Sequence, residues 1–232
     1  DTICGAGPNG AIMHYRVTEE SNRKVEANSL LLVDSGGQYL DGTTDITRTV
    51  AVGDPGDYAR ACYTRVLQGM VAISRIRFPH GVGGQHLDAL ARAPLWLAGQ
   101  DYDHGTGHGV GSYLSVHEGP QGISRRSEVA LQQGMILSNE PGYYREGAFG
   151  IRIENLIVVM DAPSLSGGDD RQMLAFETLT YVPFDRRLID TSLLSTQERH
   201  WIDGYHADTL QLLEPLLAAS DCDWLKEACA PL

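Results

Sequence analysis

A chain of 232 residues with 42% hydrophobic side chains can bury a sizeable core as one large domain or two small ones, which excludes a disordered tail. A formal charge of −12, from 30 acidic against 18 basic residues, excludes nucleic acid as a partner, because phosphate backbones are bound by clustered Lys and Arg. No apolar run reaches the roughly 20 residues that cross a bilayer, and the start at Asp1 shows neither an initiator Met nor a leader, so the chain reads as soluble, without a membrane partner, and incomplete at its start.

In chain order, the first predicted element is a hairpin over residues 29–52, SLLLVDSGGQYLDGTTDITRTVAV, where two β-rich runs flank a Gly- and Asp-rich turn. Asp54-Pro55 then predicts an N-cap and a first helical position, with a helix running through Tyr58, Cys62, Val66, Met70 and Ile73. A second helix, HLDALARAPLWLAG at 86–99, is expected to bend or end at Pro94. His104, GTGHGVG at 105–111 and the SVHE stretch at 115–118 place three histidines and much bare backbone close together. Residues 135–160, MILSNEPGYYREGAFGIRIENLIVVM, repeat the hairpin design, and LAFETLTYVPF at 174–184 adds a strand after the polar loop 164–171. Ser195 and Glu198 have capping-box spacing ahead of a long helix carrying Trp201, Tyr205, Leu212, Leu213 and Leu216. The fold class is therefore α+β: a curved antiparallel sheet covered by helices over 1–184, with 185–232 a C-terminal helical extension of the same domain.

The four cysteines form neither a disulfide framework nor a metal spacing. Cys222 and Cys229 in one helix would be about 10.5 Å apart along its axis, beyond disulfide reach. Reduced thiols in a cytoplasm are the plain reading.

The chemistry is carried by acids at the two hairpins. With the first turn near Tyr39-Leu40, Asp34 and Asp45 face each other across the ladder, and Glu140 and Glu154 take the same relation around Gly147. Opposed carboxylates on neighbouring strands repel. Both pairs sit in or beside apolar runs, where a carboxylate takes up a proton or binds a cation. Each acid alone could be an ordinary turn residue, but the duplicated arrangement argues otherwise. Four carboxylates and one neutral imidazole balance two divalent ions, and an oxygen-rich set with one nitrogen suits Mn²⁺, with Zn²⁺, Co²⁺ or Fe²⁺ as substitutes.

With these residues assembled, GPNGAIMHY (7–15), VDSGGQYLDGTTDITRT (33–49), DYDHGTGHGVG with VHEGP (101–111, 116–120) and NEPGYYREGAFGIRIEN (139–155) resemble the aminopeptidase P branch of the pita-bread metallopeptidases. The ending, 176–190 with 198–206, resembles the tail of the cytosolic three-domain type. The resemblance implies a pita-bread fold lacking its N-terminal part here. It also implies metal-dependent release of an N-terminal residue that precedes proline, by a water activated between two metals. Position by position, Asp34 would chelate one metal, Asp45 and Glu154 would bridge both, and His108 and Glu140 would bind the second, with Glu140 the general base. His104 would line the pocket for the proline ring, His117 would hydrogen-bond the substrate carbonyl and His14 would assist proton transfer. Tyr144 and Arg152 would support this network and contact substrate. It further implies a homodimer and/or association with the N-terminal part of the same protein.

His80, His86, His200 and His206 have no ligand-like partner nearby in sequence, and Trp96 and Trp201 read as packing residues. Two other readings stand beside the aminopeptidase: a prolidase, which shares the ligands but takes only dipeptides, and a non-catalytic peptide-binding module of the same fold. Retention of every ligand argues against the module.

Overall fold

The computed structural model describes residues 2–113 and 115–232, so Asp1, on which the reading of the chain start rests, lies outside the described residues. The chain opens with β1 (Ile3–Ala6), followed by the expected hairpin of β2 (Ser29–Tyr39) and β3 (Gly42–Val52). β1 and β3 flank β2 in one antiparallel ladder. The hairpin turn falls on Leu40-Asp41, one residue later than the sequence suggests. Asp34 therefore pairs with Thr47, and Asp45 with Gly36, so the two aspartates are diagonal rather than opposite. The register differs by two residues, an even number, so both still project from the same face.

Helix α1 (Asp57–Ser74) starts two residues after the predicted first position. Gly56 occupies its N-cap with φ of 85°, a conformation that suits glycine, while Asp54 accepts hydrogen bonds from Gly56 N and Arg60 instead of capping the helix. After β4 (Arg77–Pro79), α2 (Asp88–Trp96) tolerates Pro94 because the helix ends two residues later and only one backbone bond is forfeited. The two helices cross closely: a Cβ on Gly69 would run into the Ala91 carbonyl.

Short strands β5 (Gly107–His108) and β6 (Gly122–Ile123) pair with each other. The second long hairpin comprises β7 (Ile136–Asn139), β8 (Gly142–Arg145), β9 (Phe149–Arg152) and β10 (Asn155–Asp161). Its register runs unchanged from Asn139 opposite Asn155 to Gly142 opposite Arg152, which sets Glu140 opposite Glu154 as expected. The predicted third strand is β11 (Met173–Thr178); it joins β10 on one side and β4 on the other. It is shorter than 174–184, because Thr180 turns its hydroxyl onto Leu156 N where a ladder bond would continue.

Ser195 and Glu198 form the capping box of α3 (Thr196–Leu213). The long helix expected to reach Leu216 stops at Leu213: Pro215 lies in a single 3₁₀ turn, and a further helix, α4 (Ala219–Ala228), follows. The four cysteines are free thiols.

Among the described residues two buried clusters form the core. In one, Tyr63, Leu67 and Met70 of α1 pack with Leu30, Ile151, Phe184, Leu188, Ile202 and Tyr205; in the other, Ile73 joins Phe78, Leu137, Ile157, Leu174 and Phe176. α1 thus spans both and the C-terminal segment completes the first. No helix among the described residues is long and apolar enough to cross a membrane.

Candidate metal centre and active site

The second hairpin splits at its acids. Pro141 has no N–H to give a ladder, and Glu140 and Glu154 each donate their backbone N–H elsewhere: Glu140 to the Thr106 carbonyl at 2.8 Å, Glu154 to the Thr47 carbonyl at 3.0 Å. These bonds tie the hairpin to the histidine segment on one side and to β3 on the other. Glu140, Glu154, Asp34, Asp45 and His108 consequently converge on one cavity of about 1160 Å³.

Ligand atoms of three overlapping groups lie within 4.8 Å of one another: Asp34 with Asp45 and Glu154, His108 with Glu140 and Glu154, and Asp45 with His108 and His117. His108 Nδ1 lies 2.9 Å from the Gly109 carbonyl, which assigns its proton to that nitrogen. Nε2 is left to face Asp45 Oδ2 at 3.4 Å and Glu140 Oε1 at 3.3 Å. Thr47 donates to Glu154 Oε2 at 2.6 Å, whereas the buried Oε1 has no hydrogen-bond partner among the described residues. An ionised oxygen left bare in a protein interior is costly, and a cation at this point would satisfy it. The donor set, four carboxylates and imidazole around an orphaned oxygen, fits divalent metal.

Electrostatics show the same strain. Burial pushes the Glu140 carboxyl up to about 8; Asp45 and Asp34 add to the rise, against Arg152 and Ser138. Burial also raises Glu154 well above the carboxylate range, reinforced by Glu140, Asp45 and Asp34. Burial alone would lower His108, but hydrogen bonding to Asp45 and to the Gly109 carbonyl outweighs it and raises the imidazole.

Around this cluster the expected histidines take distinct places. His104 Nε2 lies 2.9 Å from the Tyr144 hydroxyl, which in turn accepts from Arg152 Nη1 at 3.0 Å, so Tyr144 donates to His104. Burial pushes His104 down to about 4, which keeps it neutral. Arg152, 2% exposed, also donates to Asp34 Oδ2 at 2.6 Å. His117 stands edge-on to His108, ring centroids 4.1 Å apart, and burial together with His108 lowers its pKa. His14 lines the same cavity. Every sequence-derived site residue except Tyr144 lines it, and Tyr144 reaches the site through His104 and Arg152.

The glycines of the histidine motif permit close backbone approach. A Cβ on Gly107 would strike the Ser138 carbonyl, and one on Gly109 the Glu118 carbonyl. By contrast, His80 pairs loosely with Asp161, and the ring of buried His206 lies in the core, its Nε2 accepting from Phe184 N. Trp201 stacks on Tyr205.

Sequence reasoning passed over Thr47, which joins Glu154 to Arg152, and Ser138, which donates to Glu140 Oε1 at 3.1 Å. Each lies two residues from a site acid, and residues two apart on a strand share a face. It also passed over Asp88 and Arg92 on α2. Arg92 spends all five N–H groups on Asp88, on Asp101, and on the carbonyls of Tyr102 and His104, while Asp88 accepts from Thr106.

The fold and this site define a metallopeptidase of the M24 class: a description of metallopeptidase family M24 matches residues 1–161, and one of the C-terminal region of the same family matches 172–232. The chain belongs to metallopeptidase family M24. It is 51% identical to aminopeptidase P2 of Arabidopsis thaliana over 235 residues, covering all of this chain and 33% of that protein. Its structure matches an X-prolyl aminopeptidase from Caenorhabditis elegans, described as a cytosolic enzyme with a dinuclear active site, with a TM-score of 0.94 and 42% identity over all of this chain and 38% of that one. An Xaa-Pro dipeptidase from Bacillus anthracis aligns less fully, with a TM-score of 0.66 and 31% identity over 80% of this chain and 47% of that one. The resemblance read from the motifs and the pita-bread fold it implied are thereby borne out. The chain spans about a third of the length of the aminopeptidase relatives it matches.

Proposed function

We propose that the protein bearing this chain is a cytosolic, metal-dependent aminopeptidase that releases the N-terminal residue from peptides with proline in second position. The observation that carries this reading is the convergence of Asp34, Asp45, His108, Glu140 and Glu154 around an unsatisfied carboxylate oxygen. In this reading Asp34, Asp45, His108, Glu140 and Glu154 would hold two divalent ions between them. Manganese suits this oxygen-rich set best, with Zn²⁺, Co²⁺ or Fe²⁺ as substitutes. When bound, the ions supply Lewis acidity, lowering the pKa of the attacking water and polarising the scissile carbonyl.

The chain's own groups do the rest. Glu140 takes the proton of the attacking water, His117 donates to the carbonyl oxygen as charge develops there, and His14 relays the proton from Glu140 to the leaving imide nitrogen. Arg152 holds Asp34 and Tyr144 in place. Tyr144 holds neutral His104, whose face offers a wall to the proline ring. An X-Pro bond is a tertiary amide without N–H, so a site that asks for no donor at that position accepts it.

Residues 185–232 are read as an extension of the catalytic unit, supported by Phe184, Leu188, Ile202 and Tyr205 sharing one core with α1. Exposed Leu212, Leu216 and Trp224 offer apolar surface to a second copy or to the remainder of the protein.

The test is hydrolysis of Arg-Pro-Pro and of longer peptides with proline in second position. Release of the first residue, lost in Glu140→Gln, is expected. Cleavage of Xaa-Pro dipeptides alone would make the protein a prolidase, and no metal-dependent cleavage of either would leave a peptide-binding module.

A further inference from the structure

Arg48 follows Thr47 on β3 and points to the opposite face of the ladder from Asp45. It is 8% exposed, and its guanidinium reaches only neutral acceptors. Nη1 donates to the carbonyls of Thr47 at 2.9 Å and Glu154 at 2.5 Å. Nη2 donates to Asn155 Oδ1 at 2.7 Å, the Val182 carbonyl at 2.8 Å and the Tyr205 hydroxyl at 3.0 Å; Nε donates to the Pro183 carbonyl at 3.3 Å. Among the described residues no carboxylate forms an ion pair with it. A buried guanidinium without a counter-charge is a poor source of stability, because its desolvation is repaid only by dipoles. Its rigid fork instead fixes geometry.

What it fixes is Glu154. That residue's N–H goes to Thr47, its carbonyl receives Arg48, and its Oε2 receives the Thr47 hydroxyl, so Oε1 alone is left without a partner. Arg48 is held from behind by the C-terminal segment. The Tyr205 hydroxyl accepts from Arg48 and from Val182 N, and its ring stacks on Phe184, at 4.6 Å, and on Trp201, at 5.5 Å and nearly parallel. Phe184 also lies under the guanidinium, 4.8 Å from its centre.

We propose that α3 positions the bridging carboxylate of the metal centre, with Tyr205 and Arg48 as positioning residues that set the backbone of Glu154 from the far side of the sheet. The C-terminal segment then has a role in the chemistry without touching substrate. This rests on the reading of Glu154 as a metal ligand.

The test titrates Mn²⁺ into metal-free full-length protein by calorimetry, for wild type, Tyr205→Phe, Arg48→Lys and Glu154→Gln, with kcat, KM and the Tm of the metal-free forms. Tyr205→Phe keeps the ring stack and removes only the hydroxyl. It is expected to weaken Mn²⁺ binding about 10-fold, the usual effect of losing a ligand's supporting contact, with KM unchanged and kcat restored by excess Mn²⁺. Arg48→Lys, which keeps the charge and loses the fork, should do the same, and decides the matter alone if Tyr205→Phe does not fold. Mn²⁺ affinity equal to wild type with only a lower Tm would reduce both residues to structural roles and overturn the proposal. Unaltered Mn²⁺ binding in Glu154→Gln would instead overturn the assignment of Glu154 itself, and the inference with it.

Discussion

Thr47 donates to Glu154 Oε2 and accepts from Arg152 Nε at 3.1 Å, so one hydroxyl links Glu154 of the acidic cluster to the arginine that holds Asp34. Thr47→Val keeps the shape and removes both bonds. Metal affinity is expected to fall about 10-fold with little change in KM. Calorimetric titration checks this, and an unaltered affinity would show that Glu154 keeps its place without the hydroxyl. Thr47 was not legible: strand parity puts it on the face of Asp45, but nothing in the sequence said which polar neighbour would be used. His206, dismissed as a ligand, has a different consequence. Burial pushes its pKa down to about 4, so the folded protein keeps the ring neutral while the unfolded chain protonates it near 6.5. The unfolded state binds more protons between these values. Its contribution is therefore present above about pH 6.5 and is lost as pH falls towards 4, by up to about 3 kcal/mol. His206→Gln should flatten that part of the stability profile relative to wild type in denaturant titrations at pH 7 and pH 4.5. His104 shifts the same way and is common to both proteins, so the difference isolates His206. An identical slope would refute this.

At the scale of elements, α2 and the segment 101–108 behave as one unit. The Asp88–Arg92 pair is nearly inaccessible, at 1% and 2% exposure, and it carries the carbonyls of Tyr102 and His104 and the hydroxyl of Thr106. The Thr106 carbonyl then receives Glu140 N, so the clamp sets the backbone of both His104 and Glu140. Arg92→Met leaves Asp88 buried and uncompensated, at a cost of about 3–5 kcal/mol. Arg92→Met with Asp88→Leu should recover much of that stability but not activity, since the loop stays unanchored; urea unfolding and kinetics on the same variants read the two effects. A double variant with full activity would show that the loop needs no clamp. The sequence displayed Asp88 and Arg92 only as a pair four apart on a helix, which looks like a solvated surface pair. The hairpins and the capping box were legible because local pattern decides them. The exact turn at Leu40-Asp41, the start of α1 at Asp57 and the break at Pro215 were not, because glycine geometry and tertiary bonds move element ends.

Across the whole molecule, the site stands where separate ladders meet: β2 and β3 bring Asp34 and Asp45, the split second hairpin brings Glu140 and Glu154, and β5 brings His108. The identities of these residues were legible as a duplicated pattern and a family motif. Their meeting was not, since it depends on backbone bonds from Glu140 to Thr106 and from Glu154 to Thr47 that link segments far apart in the chain. The C-terminal helices complete the first core around α1, so removing residues 195–232 should expose Phe184, Leu188 and Tyr63 and abolish cooperative unfolding. A truncated protein with a sharp thermal transition would contradict that dependence. Whether the cluster of acids holds two metals is read by metal analysis of the purified full-length protein with mass spectrometric detection. About two divalent ions per catalytic chain are expected in the wild type, with loss of metal together with peptide cleavage in Asp45→Asn and in Glu154→Gln. Full metal loading in both variants, or cleavage that persists after the metal is stripped, would contradict this expectation.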